Sequence, residues 1–307
     1  GPVKGITLNA PIHATKESGD SFLLSVLRHR DPVFCPIGAI AMHCGWMFDC
    51  GYFTHILDII EQDLNTFETN IKKSPSYKHT SKWWGLHLFS KKGSSDPITT
   101  DYLRKMYKSA MWANEIKTKS VVLHLARTDV FARMLEYGFK IPELNAKGGW
   151  NRSVPEDCYY QAAVKVIETL HLAGFIKGSQ YNLEECYTNW RQFLPESKSG
   201  IPKEFHVLWD AVFPNLESVY VKARRLQKLY ITKFDISVVE FLQVLMFFRR
   251  VILEDSICLF DDHSSFPFFE DHKLFKGENL AIFKKFQEFG KACMKDREET
   301  WTRVHQG

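Results

Sequence analysis

The sequence predicts a mainly α-helical (α+β) fold with a small N-terminal β-sheet and a helical C-terminal extension. Strand-like patterns occur only near the N-terminus, and helical periodicity dominates the remainder of the chain. The chain has 307 residues, of which 45% are hydrophobic and 25% charged, and this is the composition of an ordinary folded protein. The length is sufficient for two domains, or for one domain with a large extension.

The chain is predicted to begin with strands and to continue with a helix. Residues 3–29, VKGITLNAPIHATKESGDSFLLSVLRH, predict two strands joined by a polar turn. Pro36 is expected to open a helix over residues 35–48, which have a continuous apolar face. The stretch 70–84 is basic and polar, and we interpret it as a loop.

Three further helices are predicted before residue 175. Thr99 or Thr100 is expected to cap the first of them. The second covers residues 121–138 and the third residues 155–174. Each of these two ends at a glycine, which is a common residue just past a helix C-terminus.

Residues 191–203 are the best linker candidate because they are rich in Pro, Ser and Gly. They would separate an N-terminal domain (1–190) from a helical extension (204–307). Because Val3 leads almost directly into a strand pattern, we expect the domain to be N-terminally incomplete. The most apolar run, 235–255, contains charged residues, so we interpret it as a buried helix and not as a membrane span. The aromatic-rich tail is expected to form turns and a short helix.

Positive charge is concentrated in residues 70–127. This segment has twelve Lys and Arg against three acidic residues, so its net charge is 12 − 3 = +9, whereas the whole chain carries +4. Such an asymmetry is typical of a DNA-facing segment, although a solvated helix face has the same composition. The residues predicted to contact DNA are Lys72, Lys73, Lys91, Lys92, Lys119 and Arg127.

The seven cysteines form no C-x-x-C motif and no even framework. This usage is typical of a reducing compartment in which free thiols are buried. His43, Cys44 and Cys50 suggest a zinc site, but no second pair of ligands stands at metal-binding spacing. The sequence therefore predicts neither a metal site nor a cofactor.

A set of four residues could act together on a phosphate. His124 and Arg127 stand one helical turn apart, and the guanidinium can hold two phosphate oxygens. Trp150 can donate its indole N–H, and the phenol of Tyr159 is a possible nucleophile at phosphorus. A packing interpretation stays open, because an imidazole in an apolar stretch, a tryptophan after two glycines and helical tyrosines all occur in ordinary cores.

In this sequence Trp150 follows His-x-x-Arg by 23 residues, and Tyr159 follows after nine more. This spacing resembles the tyrosine recombinase signature. The blocks LRHRDPVFCPIGAIAMHCGWMF (27–48) and GGWNRSVPEDCY (148–159) resemble fungal Crypton recombinases. They also resemble domain two of the large centromere-DNA-binding subunit of the budding-yeast inner kinetochore complex. Residues 201–218 and 259–286 resemble segments that follow this domain in that subunit.

The resemblance implies a tyrosine-recombinase-like catalytic-domain fold. Within it, five residues would occupy vestigial or active catalytic positions: Lys16, His124, Arg127, Trp150 and Tyr159. A recombinase arginine upstream of the first strands has no counterpart in this chain. The adjacent Tyr160 also leaves the position of the nucleophile ambiguous.

The resemblance further implies duplex DNA as the ligand, protein partners of a kinetochore-type complex and a nuclear location. A homodimer is left open, and no membrane contact is expected. The predicted function is non-specific or weakly specific DNA binding by a domesticated recombinase fold at a centromere, without strand cleavage. An active Crypton-like recombinase is the first alternative. A protein-interaction module that has lost DNA contact is the second.

Overall fold

A computed structural model of the chain describes residues 5–11, 21–29, 31–49, 55–81, 96–113, 174 and 191–306. The described residues are mainly helical, as the sequence predicts. They belong to two compact units. The first contains the described residues between 28 and 81 together with 191–306, and the second contains those between 5 and 27 together with 96–113 and 174.

The second unit contains a β-hairpin and one helix among its described residues. Strand β1 (Gly5–Pro11) pairs antiparallel with β2 (Ser21–Leu27) in a register that joins Gly5 to Leu27. Helix α3 covers Thr100–Ala113. The hydroxyl of Thr99 accepts the Tyr102 N–H at 3.2 Å, so Thr99 is the cap of this helix.

The first unit consists of helices arranged around one long central helix. Its helices are α1 (Pro36–Asp49), α2 (Ile56–Lys73), α4 (His206–Ala211), α5 (Leu216–Leu229), α6 (Ser237–His263), α7 (Pro267–Asp271) and α8 (Gly277–Gln306). Helix α6 packs against α1, α5 and α8, and α5 also packs against α2. The apolar run 235–255 therefore lies in a buried helix, as predicted.

None of the helices in the described part of the chain is both long enough and apolar enough to cross a membrane.

Helix α2, which the sequence analysis did not predict, has a regular apolar face. Its buried residues include Ile56, Ile60, Leu64, Phe67 and Ile71, which follow one another at intervals of three or four positions. This spacing places them on one side of the helix. The other side is polar and ends with lysines. The loop predicted for residues 70–84 is wrong at 70–73, which are helical; residues 74–81 are not helical, and residues 82–84 lie outside the described ranges.

The turn between α4 and α5 has two residues with positive φ, Phe213 at 54° and Asn215 at 65°. Left-handed backbone costs about 1 kcal/mol or more for residues other than glycine. Arg249 of α6 compensates, because its Nε donates to the Val212 carbonyl and its Nη2 to the Phe213 carbonyl, both at 2.8 Å. The buried guanidinium of Arg249 also pairs with Glu217 at 3.1 Å. Arg249 of the central helix thus fixes the turn between α4 and α5.

A buried network of charges joins three segments of the first unit. The guanidinium of Arg28 pairs with both Glu254 and Asp255, and Arg191 Nη1 lies 2.5 Å from Asp255 Oδ1. The Leu194 N–H donates to Glu254 Oε1 at 2.8 Å. Although burial alone would lower it, the two carboxylates hold the pKa of Arg28 above its ordinary value. The first residues of the predicted linker 191–203 are therefore anchored on α6, while the predicted domain limits stay a prediction.

Two glycines of α1 permit its close approach to α6. A Cβ on Gly38 would overlap the buried carboxylate of Asp255. A Cβ on Gly45 would lie 3.0 Å from Ile252 of α6 and equally close to Phe268 of α7. Gly38 is therefore required, because the buried carboxylate of Asp255 leaves no room for a Cβ.

Five of the six phenylalanines between residues 266 and 286 are buried between α6, α7 and α8. Phe275 contacts Phe260 at 5.2 Å between ring centroids and Phe283 at 4.9 Å. Phe266 is the exception, because half of it is exposed. The short helix predicted for the tail is wrong in length, since α8 has 30 residues. Its apolar side packs against the central helix, which stabilises the added turns.

Candidate nucleic-acid interface

Two helices of the first unit bring basic side chains to one surface. Helix α2 ends in Lys72 and Lys73, and the neighbouring α5 contains the run KARRLQK at 222–228. We call this surface the basic face, and it comprises Lys72, Lys73, Lys78, Lys222, Arg225, Lys228 and Lys233. The packing of α2 against α5 is what joins these distant parts of the sequence.

The centre of the basic face is a carboxylate that holds two cations. Nη2 of Arg225 lies 2.9 Å from each oxygen of Glu68, and Lys72 Nζ lies 3.3 Å from Oε1 of the same group. Lys222 donates to the side-chain oxygen of Asn65, one helical turn before Glu68. Two cations thus bind one carboxylate, and a third, Lys222, is held on Asn65 one helical turn away, which leaves an excess of positive charge.

The ionised state of Glu68 follows from this arrangement. Although burial by itself would raise it, the hydrogen bonds from Lys72 and Arg225 hold the pKa of the Glu68 carboxyl below its usual value. Glu68 therefore carries its charge at neutral pH and fixes the cations that surround it.

The loop after α2 extends the basic face toward the end of α5. The N–H of His79 donates to the Lys233 carbonyl at 2.8 Å, and the Ser81 hydroxyl donates to Asp235 at 2.8 Å. These bonds hold Lys78 beside Lys233. Burial lowers the pKa of His79, so its ring adds no charge to the face at neutral pH.

Aromatic packing supports this loop from below. Phe67 of α2 contacts Tyr77, Tyr230 and Phe234 with ring centroids 6.2, 5.6 and 5.5 Å apart. Phe67 is buried, whereas Tyr77 remains exposed with its phenol at the surface. The cations of this loop therefore lie next to a packed aromatic cluster that stabilises the surface.

The second unit has a smaller basic surface on α3. Arg104, Lys105 and Lys108 are exposed on this helix. Arg104 pairs with Asp101 at 3.0 Å, and Lys108 lies 4.5 Å from the ring centroid of Trp112. These three residues account for part of the +9 charge of the segment 70–127.

The structure locates only part of the predicted site. Lys72 and Lys73 lie on the basic face, as exposed residues of the last turn of α2. The other predicted positions lie outside the described residues and stay predictions: Lys16, Lys91, Lys92, Lys119, His124, Arg127, Trp150 and Tyr159.

The contribution of α5 was missed from the sequence. Residues 216–233 contain five Lys and Arg against Glu217 alone, so their net charge is 5 − 1 = +4. The overall charge conceals this signal, because the residues outside 70–127 sum to 4 − 9 = −5. A charge count over each predicted helix would have found it.

The described cysteines are packing residues. Burial raises the pKa of Cys44 to about 12, so this thiol stays protonated at neutral pH. The buried sulfur of Cys35 accepts the Gly38 N–H at 3.3 Å. Within the described ranges, no group of three His, Cys, Asp or Glu side chains could hold a metal ion.

The helical fold and the basic face define a protein with a surface suited to a polyanion. The chain belongs to the family described as centromere DNA-binding protein complex CBF3 subunit, domain 2, whose profile matches residues 4–286. Membership implies a subunit of a centromere DNA-binding complex and a nuclear location. Comparisons with curated proteins and with solved structures gave no match.

Proposed function

We propose that this chain binds duplex DNA through the basic face and does so with little or no sequence preference. The observation that carries the proposal is the convergence of Lys72, Lys222 and Arg225 around Glu68 and Asn65. A phosphate approaching this point meets an excess of positive charge on a rigid support. Family membership supports DNA as the source of that phosphate.

The chemical groups at the basic face determine how it binds DNA. Helix α2 ends here, at Lys73, and α5 ends close by, at Leu229, so both present the negative ends of their dipoles. Backbone N–H groups at a helix N-terminus are therefore not what attracts the phosphate. The attraction comes from Lys and Arg side chains, which position a duplex without reading its bases.

We further propose that the fold is a domesticated tyrosine-recombinase fold. In this proposal Lys16, His124, Arg127 and Trp150 hold a backbone phosphate, and Tyr159 does not attack it. The reason is that Tyr160 stands directly beside Tyr159, so the sequence does not define a single nucleophile at the recombinase spacing.

The chain would work within a complex, and its protein partners would be other subunits at the centromere. A homodimer is compatible with this proposal but is not required by it. Duplex binding by the basic face leaves other surfaces of the first unit available for those partners.

Fluorescence anisotropy with two unrelated duplexes tests the proposal. The variant combines Lys72→Glu, Lys222→Glu and Arg225→Glu. The matched control combines Lys203→Glu, Lys276→Glu and Lys285→Glu, which reverse three exposed lysines outside the basic face. We expect the first variant to lose affinity for both duplexes by about tenfold or more, and the control to lose little.

Equal losses in the two variants would show that binding depends on total charge and not on the basic face. A loss confined to one duplex would show that the face reads sequence. Either result would contradict the proposal. Thermal unfolding of all three proteins shows whether each variant is folded.

A further inference from the structure

An open groove of about 500 Å³ lies on the first unit, on a different set of elements from the basic face. Its walls are the outer side of α1, the C-terminal end of α6 and the start of α7. Ala39 and Trp46 line it from α1, and Leu259 and Phe266 line it from the α6–α7 side. The groove is therefore apolar over most of its surface.

Exposed apolar side chains lie at this groove. Val33 is 58% exposed and Phe266 is 50% exposed, and both line it. Phe34, next to Val33 in the chain, is 69% exposed. An exposed apolar patch of this kind is typical of a surface that another protein covers.

The edge of the groove is acidic. Residues 251–272 contain six Asp and Glu and no Lys or Arg. Glu254 and Asp255 are used in the buried network, and Asp261 pairs with Lys284 and Lys291. The acidic residues that stay exposed beside the groove are Asp262, Glu270 and Asp271.

One further feature strengthens the negative charge at this edge. The groove lies at the C-terminal end of α6, where the helix dipole is negative. Asp271 also fixes one wall, because its carboxylate accepts the Trp46 indole N–H at 3.0 Å. The indole, which lines the groove, is thereby held in place for an apolar contact.

We propose that this groove binds a segment of a partner protein that presents apolar anchor side chains flanked by lysine or arginine. The anchors would fill the space between Ala39, Trp46 and Leu259, and the cations would face Asp262 and Glu270. DNA is a poor occupant because the acidic edge repels phosphate. The groove therefore serves assembly, separately from the DNA contacts of the basic face.

The test uses the full chain and two fluorescein-labelled helical peptides. The peptides share leucine and phenylalanine at i, i+3, i+4 and i+7, and one carries lysine where the other carries glutamate. Ala39→Arg places a long cation in the groove from an exposed helix position, so folding should be kept. Val221→Arg, at an exposed apolar position on α5, is the matched control.

We expect the lysine peptide to bind at least about tenfold more tightly than the glutamate peptide. Ala39→Arg should weaken that binding about tenfold or more, Val221→Arg should not, and neither the peptide nor Ala39→Arg should change DNA affinity. Equal binding of both peptides, no binding of either, or displacement of the peptide by duplex DNA would each overturn the inference. Self-association of the chain that Ala39→Arg abolishes would overturn it in favour of a second copy as the occupant.

Discussion

Arg225 and Glu68 lie 157 positions apart in the sequence, yet Nη2 of the guanidinium is 2.9 Å from each carboxylate oxygen. The pair joins α5 to α2 at the centre of the basic face. Lys72 shares the same carboxylate at 3.3 Å. Glu68 thus has two effects, because it orders the cations and also neutralises part of their charge.

Substitution Glu68→Gln should raise the affinity for duplex DNA. Glutamine keeps an oxygen that can accept from Arg225 but removes the negative charge that competes with phosphate. We expect roughly a threefold to tenfold gain at low salt, measured by fluorescence anisotropy. Glu240→Gln, at an exposed position on α6, is the control and should have little effect. A fall in affinity for Glu68→Gln would show that ordering of the cations outweighs the added charge.

Substitution Arg28→Leu should destabilise the fold strongly. It leaves the carboxylates of Glu254 and Asp255 buried with one fewer cation, and loss of one partner of a buried ion pair costs about 3–5 kcal/mol. Lys295→Met removes an exposed pair with Glu299 and should cost less than about 1 kcal/mol. Urea unfolding measures both. Similar losses in the two variants would mean that Arg28 is not essential to the buried network.

The buried imidazole of His272 should make the stability of the protein depend on pH. Burial lowers the pKa of His272 to about 4, although Asp49 acts in the opposite direction. In the unfolded chain the same group has a pKa near 6.5 and takes up its proton first. The free energy of unfolding should therefore fall by on the order of 3 kcal/mol as the pH drops from about 6.5 to about 4.

The variant His272→Asn isolates this contribution. Asparagine can still accept the Leu274 N–H, which His272 Nδ1 accepts at 3.1 Å, but it does not titrate. Urea unfolding across the same pH range should give a smaller fall for the variant than for the parent. If the two proteins lost stability in parallel, the pH dependence would come from other groups, such as His79.

Strand cleavage should be absent from the protein. We expect no covalent adduct when the full chain is incubated with a nicked duplex, and we expect Tyr159→Phe to change DNA affinity little. Tyr160→Phe is the matched control because the two tyrosines are adjacent. A phosphotyrosyl adduct that disappears in Tyr159→Phe alone would establish an active recombinase instead.

The sequence predicted those elements whose signals are local. Pro36 marks the start of α1, Thr99 caps α3, and the apolar run 235–255 lies in the buried helix α6. The break between α4 and α5 was not predicted, because it depends on a bond from Arg249 to the Val212 carbonyl, 37 positions away. Contacts of this kind depend on packing between helices and leave no local pattern.

Only part of the candidate interface could be predicted from the sequence, for the same reason. Lys72 and Lys73 belong to a segment with an evident excess of positive charge, and both lie on the basic face. Lys222 and Arg225 join them only because α2, whose apolar side includes the buried Phe67, packs against α5. The sequence shows how many cations each helix carries, but not which helices are neighbours.

The salt dependence of duplex binding tests the basic face most directly. Each phosphate neutralised by a lysine or arginine contributes about −0.9 to the slope of log K against log salt concentration. The parent chain should show a steep slope, and the combined Lys72→Glu, Lys222→Glu and Arg225→Glu variant should show a slope shallower by about 2 to 3. Parallel lines for the two proteins would contradict the account, because they would mean that these three residues contact no phosphate.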